Sequence, residues 1–357
     1  MLLQVFLRGG ADGLHLVPPV GDDAYYRVRP ALAVKKRNAI PLTDLFGLHQ
    51  DLSPLLPAWE AGDLAIVHQC GTADETRSHF EAEDYLHHGG LEGGGWLGRF
   101  LHQTRSASDG PLTAVSVGSA VSDSLRGAAA VSLRSTEEFT LPDKDPAFRP
   151  QLTALYQKSG GLLGHAGDQG LKALSRIESL RKSPANPQNG ASYADDEFSS
   201  GLQLIARLIR AGAGLRAATI ELGGWDSHFT QIPLTSGLMP RLAAGLASFY
   251  KDLGTAMREV HVVVMSEFGR RVAENVSLGT DHGRAGVAFV MGGGVKGGKV
   301  LSDWPQSGLL ESALEGPGDL PVRHSFHHVL TPVLKRADPA LNPDKVFPGL
   351  PAGALDV

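Results

Sequence analysis

A carboxylate and an imidazole lie two positions apart, immediately after an apolar run. Asp226 and His228 follow residues 217–222, whose composition is typical of a buried strand. Side chains at positions i and i+2 of an extended chain point the same way, so both groups can face one point. Such a pair has the chemistry to bind a divalent metal ion.

Other groups with metal-binding or nucleophilic chemistry follow further strand-like runs. Asp12 and Ser78 come after the first two runs, Glu267 ends a later one, and Asp281 and His282 precede the last. Ligands of open α/β sheets bind beyond the carboxyl ends of the strands, so we expect these groups to share one mouth. Together with the first pair they can hold two metal ions roughly 4 Å apart, the arrangement used for displacement at phosphate esters.

Each of these residues also has an ordinary structural interpretation. Asp12 fits a turn residue. Ser78 and Glu81 fit a capping box, in which each side chain bonds a free amide of a helix start. The same helix start would attract an anion, so the two interpretations are compatible. Glu267 fits a solvated loop residue, and His282 an ordinary loop histidine.

Alternating apolar and amphipathic segments set the expected fold class. Strand-like runs occupy residues 2–7, 64–67, 114–117, 217–222, 261–265 and 287–291. Helical patterns occupy residues 52–61, 80–87, 96–104, 146–158, 169–181, 195–211, 238–258 and 323–335. This alternation predicts an α/β fold with a mostly parallel central sheet and helices on both faces.

Bulk properties exclude several classes of function. The 357 residues carry a net charge of −5 without a basic stripe, which argues against binding to nucleic acid. A single cysteine excludes an internal disulfide framework and a thiolate-rich zinc site. No run is apolar enough to span a bilayer.

The organisation expected is one domain over residues 1–357, with loop insertions such as that around residues 182–195. The polar, turn-rich segment there lies between two helical patterns, and strand-like runs of one sheet lie on both sides of it. The chain begins directly with a strand-like run and shows no export signal. As written it is expected to be cytoplasmic, and a trimmed presequence would change that expectation.

Seven motifs, in order along nearly the whole chain, resemble those of the bacterial DUF1501 family of unknown function, which belongs to the alkaline phosphatase/sulfatase-like superfamily. They are FLRGGADG at 6–13, FGLH at 46–49, TRSHF at 76–80, GWLG at 95–98, GGWDSH at 223–228, MSEFGR at 265–270 and GTDHG at 279–283. The resemblance implies an alkaline-phosphatase-like three-layer sandwich with a metal site at its strand ends. It also implies twin-arginine export to the periplasm when a presequence is present.

The resemblance assigns metal ligands by position. The ligands implied for one ion are Asp226, His228 and His282. Those implied for a second ion are Glu267, Asp12 and Ser78. The histidines favour zinc, while manganese, calcium or iron also suit the oxygen-rich set, so one or two divalent ions are expected.

The resemblance also assigns catalytic roles. Ser78 is implied as the nucleophile, and Arg270, with Arg77 as a further candidate, would hold the anionic oxygens of a substrate. The expected activity is metal-dependent hydrolysis of a small phosphate or sulfate ester. Phosphatases of the superfamily have Asp-His where this chain has Glu267 and Phe268, so the second ion loses an imidazole. The alternative is a non-catalytic metal- or anion-binding protein of an envelope or polysaccharide-related assembly.

Overall fold

The computed structural model describes residues 1–90, 92–107, 109–141, 145–182 and 186–357. The strands among these residues are β1 (Leu2–Arg8), β2 (Ala39–Pro41), β3 (Gly47–His49), β4 (Leu64–Gly71), β5 (Ala114–Val117), β6 (Val131–Leu133), β7 (Ala217–Gly223), β8 (His261–Met265), β9 (Gly286–Gly292), β10 (Lys299–Leu301) and β11 (His324–Ser325).

Helices separate most of these strands along the chain. The α-helices in the described part are α1 (Gly13–Leu16), α2 (Asp23–Val28), α3 (Leu56–Glu60), α4 (His79–His88), α5 (Trp96–Gln103), α6 (Phe148–Ser159), α7 (Gly161–Arg181), α8 (Glu197–Arg210), α9 (Gln231–Thr235), α10 (Leu238–Leu253) and α11 (Phe326–Ala337).

A nine-stranded sheet forms the centre of the structure. Its order is β10-β4-β9-β8-β1-β7-β5-β6, and β11 also pairs with β4. β1 is parallel to both of its neighbours, β7 and β8, while β9 is antiparallel to β4 and β8. The chain passes from β8 to β9 without an intervening helix, and a parallel return would need a crossover. The predicted mostly parallel sheet is confirmed.

Helices cover both faces of this sheet. Along β1, Leu3 and Val5 enter a core that includes residues of α8 and α10. Leu2 and Phe6 point the other way, into a core that includes residues of α5 and α11. Because successive strand residues point to opposite faces, the two cores lie on opposite sides of the sheet.

All six strand-like runs form strands, and most helical patterns form helices with shifted ends. In the pattern at 238–258 the α-helix ends at Leu253, because Gly254 takes a φ of +49° that other residues rarely adopt, and a 3-10 helix follows at Gly254–Glu259. The pattern at 52–61 begins as a 3-10 helix at Gln50–Leu55 before α3 starts. Short elements such as β2, β6, α1 and α9 have too few residues to produce a periodic pattern.

α7 ends at Arg181 and α8 begins at Glu197, and strands from both sides of the residues between them share the central sheet. The predicted surface loop falls in part on residues 183–185, which lie outside the described residues. Across the part of the chain that the structure describes, every helix is too short or too polar to cross a bilayer.

Candidate metal centre

The loops that follow β1, β7 and β8 meet at one edge of the sheet because these three strands are adjacent and parallel. Asp226 and His228 lie in the loop after β7, and Glu267 lies two residues beyond β8. His282 lies before β9, in the connection from β8. The topology therefore brings groups from distant parts of the sequence to one place.

Asp226, His228 and His282 converge, as the sequence predicted. The Nε2 atoms of the two histidines are 2.8 Å apart. Asp226 Oδ1 lies 3.3 Å from Nε2 of His228 and 3.5 Å from Nε2 of His282. Three potential ligand atoms thus surround one point at the surface of the sheet edge.

A third imidazole, which no sequence pattern marked as a ligand, joins this cluster. His79 is the first residue of α4, and its Nε2 lies 3.6 Å from Asp226 Oδ2. One ligand atom from each of His79, Asp226 and His282 lies within 4.8 Å of the other two. The sequence does show a histidine next to Ser78 at the start of a predicted helix. The direction of the His79 side chain, however, depends on how α4 packs against the sheet.

The opposite ring nitrogen of each histidine faces a hydrogen-bond acceptor. His79 Nδ1 lies 2.6 Å from Glu267 Oε1, and His282 Nδ1 lies 2.7 Å from the carbonyl oxygen of Arg77. His228 Nδ1 lies 3.3 Å from Asp281 Oδ1. Carbonyl and ionised carboxylate oxygens only accept, so these contacts place the proton of each neutral ring on Nδ1.

With Nδ1 protonated, the three Nε2 atoms present lone pairs to a common region. Those of His228 and His282 face each other at 2.8 Å, where two lone pairs repel. His79 Nε2 is buried and has no hydrogen-bond partner among the described residues. A cation between them relieves both conditions, and imidazoles held through Nδ1 are the usual ligands of protein-bound metals.

Local contacts and burial shift the pKa of His79 and that of His282 in opposite directions. The hydrogen bond to Glu267 raises the pKa of His79, although burial acts to lower it. Burial lowers the pKa of His282, and the nearby charge of Arg270 acts in the same direction. Since metal ligation requires a free lone pair, the lowered pKa of His282 favours ligation at neutral pH.

Glu267 supports this cluster through His79, and its own oxygens are already engaged. Oε1 also accepts hydrogen bonds from the amides of Gly9 (2.8 Å) and Gly10 (3.0 Å), and Oε2 accepts one from Ser266 Oγ at 2.9 Å. Burial raises the pKa of Glu267, but the hydrogen bonds from His79 and the two amides outweigh it and lower the pKa. These contacts make Glu267 a supporting acceptor for His79, whereas the resemblance implied that Glu267 is itself a metal ligand.

Gly9 and Gly10 are required for this support. Both have positive φ angles, +117° and +64°. A Cβ atom at Gly9 would lie 2.5 Å from the backbone nitrogen of Asp226, and one at Gly10 would lie 2.5 Å from the Phe268 ring. Only glycine accommodates both the conformation and the close approach.

Arg270 lies inside the protein. The resemblance implied instead that its side chain would hold the anionic oxygens of a substrate. Its side chain is 0% exposed and donates to the carbonyl oxygens of Gly10 (2.7 Å) and Thr280 (2.9 Å). It reaches the cluster through a 2.7 Å ion pair with Asp226. Burial acts to raise the pKa of Asp226, but the hydrogen bond and the charge of Arg270 lower it.

Ser78 borders the cluster through its two neighbours in the chain. The Arg77 carbonyl contacts His282, and His79 belongs to the cluster itself. The predicted capping box is wrong, because the Ser78 hydroxyl makes no cap hydrogen bond, and Glu81 instead accepts from Thr76 Oγ1 at 2.6 Å. The Ser78 hydroxyl is therefore left for other contacts.

Arg77 and Asp12, two further residues singled out in the sequence, are engaged elsewhere. The Arg77 guanidinium is paired with the buried carboxylate of Asp319. The carboxylate of Asp12 is buried and accepts hydrogen bonds from Arg29 and, at 2.6 Å, from Gln231. It also caps α1, so the turn interpretation holds, and these partners already engage the oxygens that were expected to bind a metal ion.

Phe268 packs against two imidazoles of the cluster. Its ring centroid lies 4.8 Å from those of both His79 and His282. The side chain is buried and forms an apolar wall behind the two imidazoles. It supplies packing here and no ligand atom.

A second group with ligand chemistry, His79, Glu83 and Glu267, also lies within 4.8 Å. Glu83 forms an ion pair with Arg8, and Glu267 has the four donors described above. A metal ion there would have to displace these donors. The cluster of His79, Asp226, His228 and His282 is therefore the better candidate, and we call it the four-residue centre.

The fold and this centre define an α/β protein with an imidazole- and carboxylate-rich site at the strand ends. A family model described as "Protein of unknown function (DUF1501)" matches residues 65–314, which is more than half of the chain, and the chain belongs to this family. The match contains all members of the four-residue centre and Ser78, but not Asp12. A search of curated proteins returns no significant match.

The Asp12–Arg29 pair predicts a pH-dependent stability. Burial acts to raise the pKa of Asp12, but the charge and hydrogen bonds of Arg29 lower it. The stabilisation that comes with a lowered folded-state pKa is fully present above the unfolded pKa of about 3.9. It is lost as pH falls through the folded-state pKa. Asp12→Asn leaves Arg29 unpaired, so we expect a loss of about 3 kcal/mol at pH 7.

Urea unfolding at pH 7 and at stepwise lower pH measures this effect. The difference between wild type and Asp12→Asn should shrink as pH falls below about 4, because the carboxyl group of Asp12 takes up its proton in the unfolded state before it does so in the folded state. Asp23→Asn, at an exposed position in the same region, is the matched control and should change stability little. Equal losses for both variants, or a difference independent of pH, would refute the assignment.

Proposed function

We propose that the protein is a metal-dependent hydrolase of phosphate or sulfate esters, with one divalent cation bound by His79, Asp226, His228 and His282. The observation that carries this proposal is the convergence of three imidazole Nε2 atoms and one carboxylate beside the N-terminus of α4. Three nitrogens and one oxygen, without a thiolate, suit zinc well. A bound cation would supply a Lewis acid that stabilises negative charge on the ester oxygens.

Ser78 is the proposed nucleophile. It precedes α4, and the first backbone hydrogen bond of this helix runs from the amide of Ala82 to the carbonyl of Ser78. The amides of residues 79–81 therefore have no acceptor within the helix and can bind the anionic oxygens of the ester. Ser78 Oγ would form a bond to phosphorus or sulfur as the ester oxygen leaves, and water would then cleave the serine ester.

We further propose that the fold is of the alkaline-phosphatase-like type. The mostly parallel sheet, the helices on both faces and a site at the carboxyl ends of central strands support this assignment. The positions of Phe268 and Asp12 favour one metal ion, because neither offers a free ligand atom to a second. A single ion distinguishes this proposal from the two implied by the sequence motifs.

A non-catalytic metal-binding role is the second candidate. Four protein side chains fill a tetrahedral coordination shell, whereas catalytic zinc sites keep one position open for water or substrate. Elemental analysis combined with turnover assays separates the two roles. One tightly held ion without turnover of aryl phosphates, phosphodiesters or aryl sulfates favours binding alone, and turnover that depends on the ion favours hydrolysis.

Replacing a member of the four-residue centre should weaken metal binding. His282→Ala removes a ligand atom, so we expect affinity to fall by at least roughly 100-fold, beyond the cost typical of a supporting residue. Glu267→Gln changes the acceptor of His79 and removes no ligand atom of the four-residue centre, so it should cost about 10–100-fold. Chelator competition on zinc-loaded protein measures both, and His165→Ala, an exposed histidine of α7, is the control. Indistinguishable affinities of His282→Ala and His165→Ala would place the ion elsewhere.

Ser78→Ala should remove catalysis while leaving the metal in place. We expect turnover of 4-nitrophenyl phosphate or sulfate to fall by at least roughly a thousandfold, because a covalent route loses its nucleophile. Metal content per chain should stay at the wild-type value. Ser175→Ala, exposed on α7, controls for loss of a hydroxyl. Full metal-dependent turnover by Ser78→Ala would eliminate Ser78 as the nucleophile.

A further inference from the structure

A large cleft opens beside the four-residue centre. Its volume is about 980 Å³, and residues at or just beyond the carboxyl ends of β1, β5 and β7 contribute to its walls. Glu83 lines this cleft and also lies within 4.8 Å of ligand atoms of His79 and Glu267. Phe80, the residue after His79, lines it as well. A substrate whose ester group lies at the centre would therefore extend into the cleft.

The charge of the cleft walls is strongly negative. Eight carboxylate residues line it against two arginines, Arg8 and Arg134. Arg8 is neutralised locally, because it forms ion pairs with two of the carboxylates, Glu83 and Glu221. Carboxylates that form no ion pair with other described residues are Asp84, Glu138, Asp195 and Glu197.

The mouth of the cleft adds an aromatic face. Phe80 is 83% exposed, which is unusual for so large an apolar side chain. The face of an aromatic ring carries negative electrostatic potential and attracts ammonium groups. Phe80 follows His79 directly in the chain and lines the cleft, so this aromatic face is available to the part of the substrate that enters the cleft.

We propose that the ester substrate carries a cationic ammonium group in its alcohol part. This inference rests on the proposed function. The anionic ester would bind at the four-residue centre and the N-terminus of α4, while the ammonium group would bind among the carboxylates and Phe80. A second anionic group on the substrate would meet like charges in the cleft, so charge selects the substrate.

Three phosphate esters of nearly equal size test this selection. O-phosphoethanolamine, 2-hydroxyethyl phosphate and phosphoglycolate carry an ammonium, a hydroxyl and a carboxylate group at the same position. With zinc-loaded protein at low salt, kcat/KM should decrease in that order, by about tenfold between the first two. The preference should weaken as salt is added, because exposed charges are screened.

A charge-matched pair of variants assigns the preference to the cleft. Asp84→Asn with Glu138→Gln removes two unpaired cleft carboxylates, and the ammonium preference should fall by about twofold to fivefold per charge. Asp44→Asn with Glu60→Gln removes the same charge at exposed positions outside the cleft, and should leave the preference unchanged. Spermidine binding, measured by calorimetry, should weaken in the cleft variant alone.

The outcomes separate the two levels of the proposal. Equal turnover of the three esters, or preference for 2-hydroxyethyl phosphate or phosphoglycolate, overturns the ammonium inference while the hydrolase function stands. Absence of phosphate release from all three esters, and from aryl esters, overturns the proposed hydrolase function. The inference that the substrate is an ester falls with it. Calorimetry then still judges the cleft, since spermidine binding that does not differ between the two variants overturns its role as a cation site.

Discussion

One buried guanidinium connects the loops on which the four-residue centre depends. Arg270 donates to the carbonyl oxygens of Gly9 and Gly10 after β1, to that of Trp225 after β7, and to that of Thr280 before β9. It is also the ion-pair partner of Asp226. A buried charge costs free energy unless it is fully hydrogen-bonded, so these loops must keep their positions to satisfy it.

The chemistry of the centre follows from this constraint and from the outward contacts of its imidazoles. Glu267, Asp281 and the Arg77 carbonyl each accept from a different histidine, which fixes the orientation of the rings. The Nε2 atoms of the three rings then converge, and none of them carries a hydrogen to donate to another. Supporting acceptors of this kind make an imidazole a better metal ligand. Phe268 packs against His79 and His282 and offers no ligand atom.

The central sheet was predictable because its strands are continuous apolar runs that bury both faces. The meeting of Asp226, His228 and His282 was also predictable, because groups beyond the ends of neighbouring parallel strands share one mouth. The antiparallel direction of β9 was not, since it depends on the path of the connection from β8. Short elements gave no periodic signal.

The roles of single charged residues were less predictable because partners distant in sequence decide them. Asp12 is engaged by Gln231, which lies 219 positions away, and Glu267 bonds Gly9, which lies 258 positions away. Neither pairing can be predicted from the residues that neighbour Asp12 or Glu267 in the sequence. His79 was overlooked for a similar reason, because the direction of its ring depends on where α4 begins relative to the sheet.

Anomalous scattering from crystals of zinc-loaded protein, measured at the zinc edge, tests the central claim most directly. We predict one peak about 2.0–2.1 Å from the Nε2 atoms of His79, His228 and His282, with a carboxylate oxygen of Asp226 as the fourth ligand. A peak between Glu83 and Glu267, or stoichiometric zinc bound away from the three imidazoles, would contradict it.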